Sequence, residues 1–177
     1  MNHKLITSLV MGGAMLIGIL ACGQDKSAAV KEAPTVIKAT EADRAPFEKL
    51  DRSEAEWRTQ LTPEQFEVMR QKGTEAPGSS PLNKEHRAGV FHCAACETVL
   101  FASDAKFESG TGWPSFWKPF VEKNVFTAQD SSQGMERDEV LCARCGAHLG
   151  HLFNDGPPPT HLRYCMNGVA LKFEARP

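Results

Sequence analysis

Three regimes of hydrophobic patterning divide the chain. An unbroken uncharged run, LITSLVMGGAMLIGIL, follows Lys4 and closes on Ala21 and Cys22. It is shorter than the ~20 residues of a bilayer span, and its basic start and small-residue end are those of a secretory signal over residues 1–21. From Gly23 to Leu50 the chain reads GQDKSAAVKEAPTVIKATEADRAPFEKL, rich in Ala, Lys and Glu with no apolar period. That composition predicts a flexible tether over residues 22–50. Ser53 with Glu56, and Thr62-Pro63 with Gln65, each fit a capping box that opens a short helix. Gly73 is expected to end the second helix, and the pair is expected to form a lid around Trp57, Phe66 and Met69. After APGSSP the pattern changes to short apolar segments, GVFHC, ETVLF, NVFTA, EVLCA and LRYCMN with VALKF, separated by Gly, Pro, Asp and Ser. Residues 51–177 therefore read as one mainly β domain with tight turns behind short N-terminal helices.

With 41% hydrophobic and 24% charged residues, the chain can bury one modest core. Its net charge of -2 and pI near 6.3 leave no electrostatic footprint for nucleic acid and no basic patch for anionic lipid. The expected partner is a small molecule or another protein, and the expected state is a monomer. The segment ILAC resembles a bacterial lipobox, which makes Cys22 the acylated mature N-terminus and the lipid anchor the sole membrane contact. A plain signal peptide that happens to end in Cys is the alternative. Gly23 after Cys22 favours the outer membrane over the inner, with the domain facing the periplasm of the cell envelope.

Cys93-Ala-Ala-Cys96 and Cys142-Ala-Arg-Cys145 each follow a short apolar run. Two such knuckles can gather four thiolates tetrahedrally around Zn2+ with no position left for water, which makes the site structural. Disulfides in an oxidising compartment, a redox-active Cys-x-x-Cys, and iron in place of zinc are the competing readings. A nucleic-acid-binding zinc ribbon is opposed by the acidic balance and by the lack of interleaved basic and aromatic residues.

Cys165 then stands alone. An odd cysteine in an exported chain points to a free reactive thiol, and the bland alternative is a buried structural cysteine. Alternation on a strand puts Arg163, Cys165 and Asn167 on one face, with Val169, Leu171 and Phe173 expected to continue it into the core. A guanidinium beside a thiol favours the nucleophilic thiolate. Upstream, GAHLGHLFNDGP holds His148, His151 and Asp155. The two histidines could be a surface pair or ligands of a second metal. Near a thiol they become proton donors at neutral pH, with Asp155 able to orient an imidazole. The segment ESGTGWPSFWKPF brings Trp113 and Phe116, and a Trp between Gly112 and Pro114 can wall a small apolar pocket.

A thiolate, a proton donor and an aromatic wall suit attack on a sulfoxide. SGTGWPSF, RCGAHLGHLFNDGP and LRYCMN, together with both Cys-x-x-Cys pairs and LTPEQFEVMRQKGTEAP, resemble the peptide-methionine (R)-S-oxide reductases of the B type over roughly residues 51–177. The resemblance implies two antiparallel sheets, β-tent-like, with short N-terminal helices, and a zinc held by Cys93, Cys96, Cys142 and Cys145. It implies Cys165 as nucleophile and a polar site of His148, His151, Asp155, Arg163 and Asn167. Trp113 would receive the substrate methyl group, with Phe116 beside it.

The implied reaction is attack by Cys165 on the sulfoxide sulfur while a histidine, His151 foremost, protonates the oxygen. Methionine leaves, and a sulfenic acid on Cys165 must be restored by a thiol. Selectivity for the R epimer and for peptide-bound methionine sulfoxide comes with the resemblance alone. Many relatives carry a resolving cysteine in the loop before the Trp, where this chain has Thr111, so the expected reductant is an outside thioredoxin-like thiol. The rival reading is a zinc-stabilised envelope lipoprotein that binds a partner without catalysis.

Overall fold

Helices α1 (Glu41–Arg44), α2 (Glu54–Gln60) and α3 (Pro63–Gln71) each open with a reciprocal capping box: Thr40 with Asp43, Ser53 with Glu56, and Thr62 with Gln65. Each box satisfies backbone N–H groups that would otherwise lack partners, an effect of about 1 kcal/mol per cap. The computed structural model describes residues 36–131 and 134–176, so the signal segment and Cys22 lie outside the described residues. Among the described residues no helix is long and apolar enough to cross a membrane.

The helices differ from expectation in two respects. α3 ends one residue earlier than the glycine, on Lys72 in the left-handed conformation (φ 58°). Its ammonium reaches Glu139, 2.7 Å away and buried, which offsets the ~1 kcal/mol that a side chain costs in that conformation. Nor do α2 and α3 form a lid: Trp57 and Met69 are each 1% exposed and belong to the main core with Phe91, Phe101 and Leu149. α3 packs against a strand and a 3-10 turn of the β domain.

Among the described residues nine strands follow: β1 (Gly89–Cys93), β2 (Val99–Ala102), β3 (Lys106–Phe107), β4 (Ser115–Phe116), β5 (Val125–Asp130), β6 (Arg137–Cys142), β7 (His148–Phe153), β8 (Arg163–Met166) and β9 (Leu171–Ala175). They form two antiparallel sheets, β2-β1-β9 and β3-β4-β8-β7-β6-β5. The core joins them, with Phe91 and Phe101 from the first sheet and Phe116, Leu149 and Met166 from the second. Phe116 is fully buried, stacked on Phe101 at 4.4 Å and edge-on to Phe91 at 4.9 Å. The expected continuation of the Cys165 face through Val169, Leu171 and Phe173 does not form. The chain leaves β8 at Met166, turns through a 3-10 segment at Gly168–Ala170 and enters β9 in the other sheet.

Residues 36–50, expected as tether, are docked on the domain. Ile37 is buried with Val90, Val99 and Ala102. The Asp43 carboxylate receives two guanidinium bonds from Arg176, at 2.8 and 3.0 Å. Asn124 and Lys123 donate to the Asp43 and Arg44 carbonyls, and the Leu50 amide donates to Arg144 O at 2.7 Å. One apolar plug and charges whose partners lie far along the chain leave no period for sequence reading to detect.

Candidate active site

Cys165 lies on an inner strand of the six-stranded sheet, and both neighbours present a polar residue to it. Its direct cross-strand partners are Ser115 on β4 and His151 on β7. Direct partners in antiparallel pairs project from the same face, so the register itself assembles hydroxyl, thiol and imidazole in a row. β7 can approach this closely because residue 150 is glycine: a Cβ there would lie 2.1 Å from the Cys165 carbonyl oxygen.

A cavity of about 200 Å³ opens over the thiol, walled by Trp113, His151, Phe153, Asn167 and Thr74. Phe116, expected as a second aromatic wall, is in the core instead, and Phe153 takes that place. Both Trp113 and Asn167 are fixed by Glu75, a residue that no local motif in the sequence marks out. The Trp113 indole N–H donates to Glu75 O at 3.1 Å, and the Glu75 N–H donates to Asn167 Oδ1 at 3.0 Å. The Glu75 carboxylate in turn accepts the Gly168 and Val169 amides at 2.7 and 2.8 Å, while burial pushes its pKa up.

The two histidines are separated in role. His151 lines the cavity and donates from Nε2 to Asp130 Oδ2 at 3.0 Å. Nδ1 is then the nitrogen not engaged by Asp130. His148 is buried behind it, ring centroids 5.2 Å apart, and donates from Nδ1 to Glu139 Oε1 at 2.8 Å. Burial holds the His148 pKa below the usual value, against the pull of Glu139. Asp155, expected to orient an imidazole, pairs with Arg163 instead, Nε to Oδ1 at 2.8 Å and Nη2 to Oδ2 at 2.9 Å. That fork-on-fork pair lowers the Asp155 pKa and fixes the guanidinium, which also lies 4.3 Å from the centroid of Phe153. The partners Asp130 and Glu139 were invisible in sequence because they come from β5 and β6 across the sheet.

Burial pushes the Cys165 thiol above its ordinary range, and the Thr111 hydroxyl and then the Arg163 charge pull it back. Arg163 thus acts on the thiol in the expected direction, and the Thr111 hydroxyl acts beside it.

The remaining four described cysteines, Cys93, Cys96, Cys142 and Cys145, are buried together, with all four sulfurs within 4.8 Å of one another. Cys93 and Cys145 sulfurs are 3.7 Å apart and those of Cys96 and Cys142 3.5 Å apart. Sulfurs on one tetrahedral zinc at ~2.3 Å stand ~3.8 Å apart, so the donor set and spacing fit such an ion. One knuckle ends β1 of the small sheet and the other ends β6 of the large one. A metal held there would tie the two sheets together, and none of the four cysteines lines the cavity.

The SelR domain family matches residues 61–175 of this chain. A peptide methionine sulfoxide reductase MsrB of Leptospira interrogans is 53% identical over 126 residues, which span 71% of this chain and 96% of that protein. The MsrB of Pseudomonas putida strain W619 is 53% identical over 130 residues, 73% of this chain and 98% of that one. The MsrB of Methanosarcina mazei is 54% identical over 125 residues, 71% and 89% of the two chains.

Proposed function

The chain belongs to the MsrB family of peptide methionine sulfoxide reductases, and from that premise we propose that it repairs oxidised proteins by reducing the R epimer of peptide-bound methionine sulfoxide at Cys165. The observation that carries this reading is the register that sets Cys165 beside His151 under a cavity walled by Trp113.

The Trp113 face receives the sulfoxide methyl group, and Asn167, held by Glu75, borders the polar side. Cys165 thiolate attacks the sulfoxide sulfur. His151, entering the step as the imidazolium with Nε2–H held by Asp130, gives its second proton, from Nδ1, to the oxygen. Thiolate, sulfoxide and one proton become a sulfenic acid on Cys165 and a free thioether: the sulfoxide sulfur is reduced by two electrons and the cysteine sulfur oxidised by two. An outside thioredoxin-like dithiol then returns Cys165 to the thiol, releasing water. Arg163, clamped by Asp155, supplies positive charge beside the thiolate. Free methionine sulfoxide is a poorer substrate than the peptide-bound residue. Zinc is the ion we assign to the four-cysteine cluster, where it stabilises the fold and takes no part in the reaction. We further propose that Cys22 is acylated and holds the enzyme in the bacterial envelope, which Cys22→Ala should reverse by moving the protein out of the membrane fraction or leaving the signal uncleaved.

The deciding experiment uses pre-reduced protein and the separate R and S epimers of N-acetylmethionine sulfoxide amide. Without reductant, the R epimer should yield about one methionine per chain and Cys165 should become trappable by dimedone; added dithiothreitol should then permit many turnovers. Equal consumption of the S epimer, or product without oxidation of Cys165, would overturn the reading.

A further inference from the structure

Three hydroxyls stand in line on one side of the nucleophile. Ser115 Oγ donates to Ser109 Oγ at 2.8 Å, with the Trp113 carbonyl at 3.1 Å sharing its proton. Ser109 Oγ is 2.8 Å from Thr111 Oγ1, and Thr111 Oγ1 is 3.9 Å from Cys165 Sγ. A hydroxyl has one proton to give. When Ser115 gives its proton to Ser109, Ser109 gives to Thr111, and the Thr111 proton is left to point at the sulfur. Donor chains of this kind polarise and strengthen their last member.

The loop that carries Thr111 is held from outside. Gly112 O accepts the Gly78 amide at 2.7 Å and the Asn83 side-chain amide. At φ 94°, a Cβ on Gly112 would stand 2.8 Å from Pro77 Cβ. The side chain facing the nucleophile therefore sits on a backbone fixed by the segment before β1.

The last distance indicates what the line is set for. At 3.9 Å, Thr111 is at the far limit of contact with a sulfur. An oxygen added to Sγ, turned to this side by rotation about Cβ–Sγ, closes that gap to ordinary hydrogen-bond length. We propose that Thr111, aligned by Ser109 and Ser115, is a positioning residue that hydrogen-bonds the sulfenic oxygen of Cys165 and so prepares the oxidised sulfur for attack by an outside thiol. This rests on the sulfenic acid chemistry proposed above. In the step it assists, an external thiol gives up its proton and attacks Cys165 sulfur as the thiolate, the S–O bond breaks, and the sulfenic O–H takes up that one proton and leaves as water, held meanwhile by the Thr111 hydrogen bond. A mixed disulfide forms, and the second thiol of the dithiol resolves it, regenerating Cys165 and oxidising the reductant.

Single-turnover kinetics test the proposal. The burst of methionine from pre-reduced enzyme gives one rate, and reduction of the resulting sulfenic acid by dithiothreitol gives a second. In Thr111→Val, which keeps shape and loses the hydroxyl, the ratio of the second rate to the first should fall about tenfold, the upper end of the scale of one neutral hydrogen bond. Thr111→Ser should restore it, and Ser109→Ala, which cuts the line one step back and leaves Thr111 in place, should lower it by a smaller factor. An unchanged ratio in both Thr111→Val and Ser109→Ala would overturn the proposal, as would failure of Thr111→Ser to recover. Absence of any burst from the wild-type protein would instead remove the underlying reductase reading.

Discussion

Cys165 and His151 are direct cross-strand partners on β8 and β7, so thiol and imidazole share a face by sheet register and need no loop to bring them together. Replacing either should change the chemistry and leave the fold. Cys165→Ser is expected to lose at least about a thousandfold in the methionine burst, with metal content and urea midpoint unchanged. His151→Gln should slow the burst about a hundredfold or more, as loss of a general acid does. A serine variant with a near-normal burst would exclude Cys165 as nucleophile.

Burial holds the Cys165 thiol above its ordinary range, while Arg163 acts against it. Alkylation by iodoacetamide requires the thiolate. Its rate at Cys165, read by peptide mass, should therefore climb about tenfold per pH unit through neutrality and past pH 9 without levelling. Arg163→Gln removes a charge that favours the thiolate, so its profile should move to still higher pH. A plateau near neutrality would mean a thiol more acidic than its surroundings allow.

The four-cysteine cluster joins strands from different sheets, so metal and stability should be lost together. Cys142→Ser should bind less than stoichiometric zinc and unfold at markedly lower urea, by several kcal/mol, because metal binding free energy is folding free energy in such sites. Inductively coupled plasma analysis beside urea titration checks this. A metal-free variant of wild-type stability would refute the assignment.

The Arg176 guanidinium beside Asp43 holds that carboxyl well below the usual carboxylate range. A carboxyl with a depressed folded-state pKa adds stability that is full above its unfolded pKa near 4 and fades as pH falls towards the folded value. Asp43→Asn should thus cost about 1–3 kcal/mol at pH 7. The difference from wild type should shrink progressively below pH 4. Urea unfolding at pH 7, 4 and 3 measures both, and a deficit independent of pH would show that the loss comes from packing rather than charge.

Local signals were legible in the sequence and long-range ones were not. Capping boxes, paired knuckles and the thiol flanked by Arg163 and Asn167 are spacings within a few residues, and the family resemblance supplied the sheets. Phe116 was misplaced because its two-residue strand has too little alternation to tell a wall from a core position. Proximity in sequence assigns Asp155 to an imidazole, whereas the two-pronged geometry of Arg163 claims the carboxylate. Asp130, Glu139 and Glu75 reach the site only through strand pairing and a distant turn. Residues 36–50 looked like tether because a docked segment with one apolar plug and scattered polar contacts is compositionally the same as a loose one.

The fixed loop around Gly112 also bears on how repair keeps pace with damage. Gly112 O is held by the Gly78 amide and the Asn83 side chain, and a Cβ at Gly112 would meet Pro77, so the backbone beside position 111 is anchored from outside the site. With threonine in that socket, on the chemistry proposed here, every repaired methionine draws two electrons from a donor outside the molecule. Turnover is then metered by that supply. When oxidant outruns it, Cys165 waits as a sulfenic acid, one step from irreversible loss, and the population of working enzyme becomes a gauge of how much reducing power its surroundings still hold.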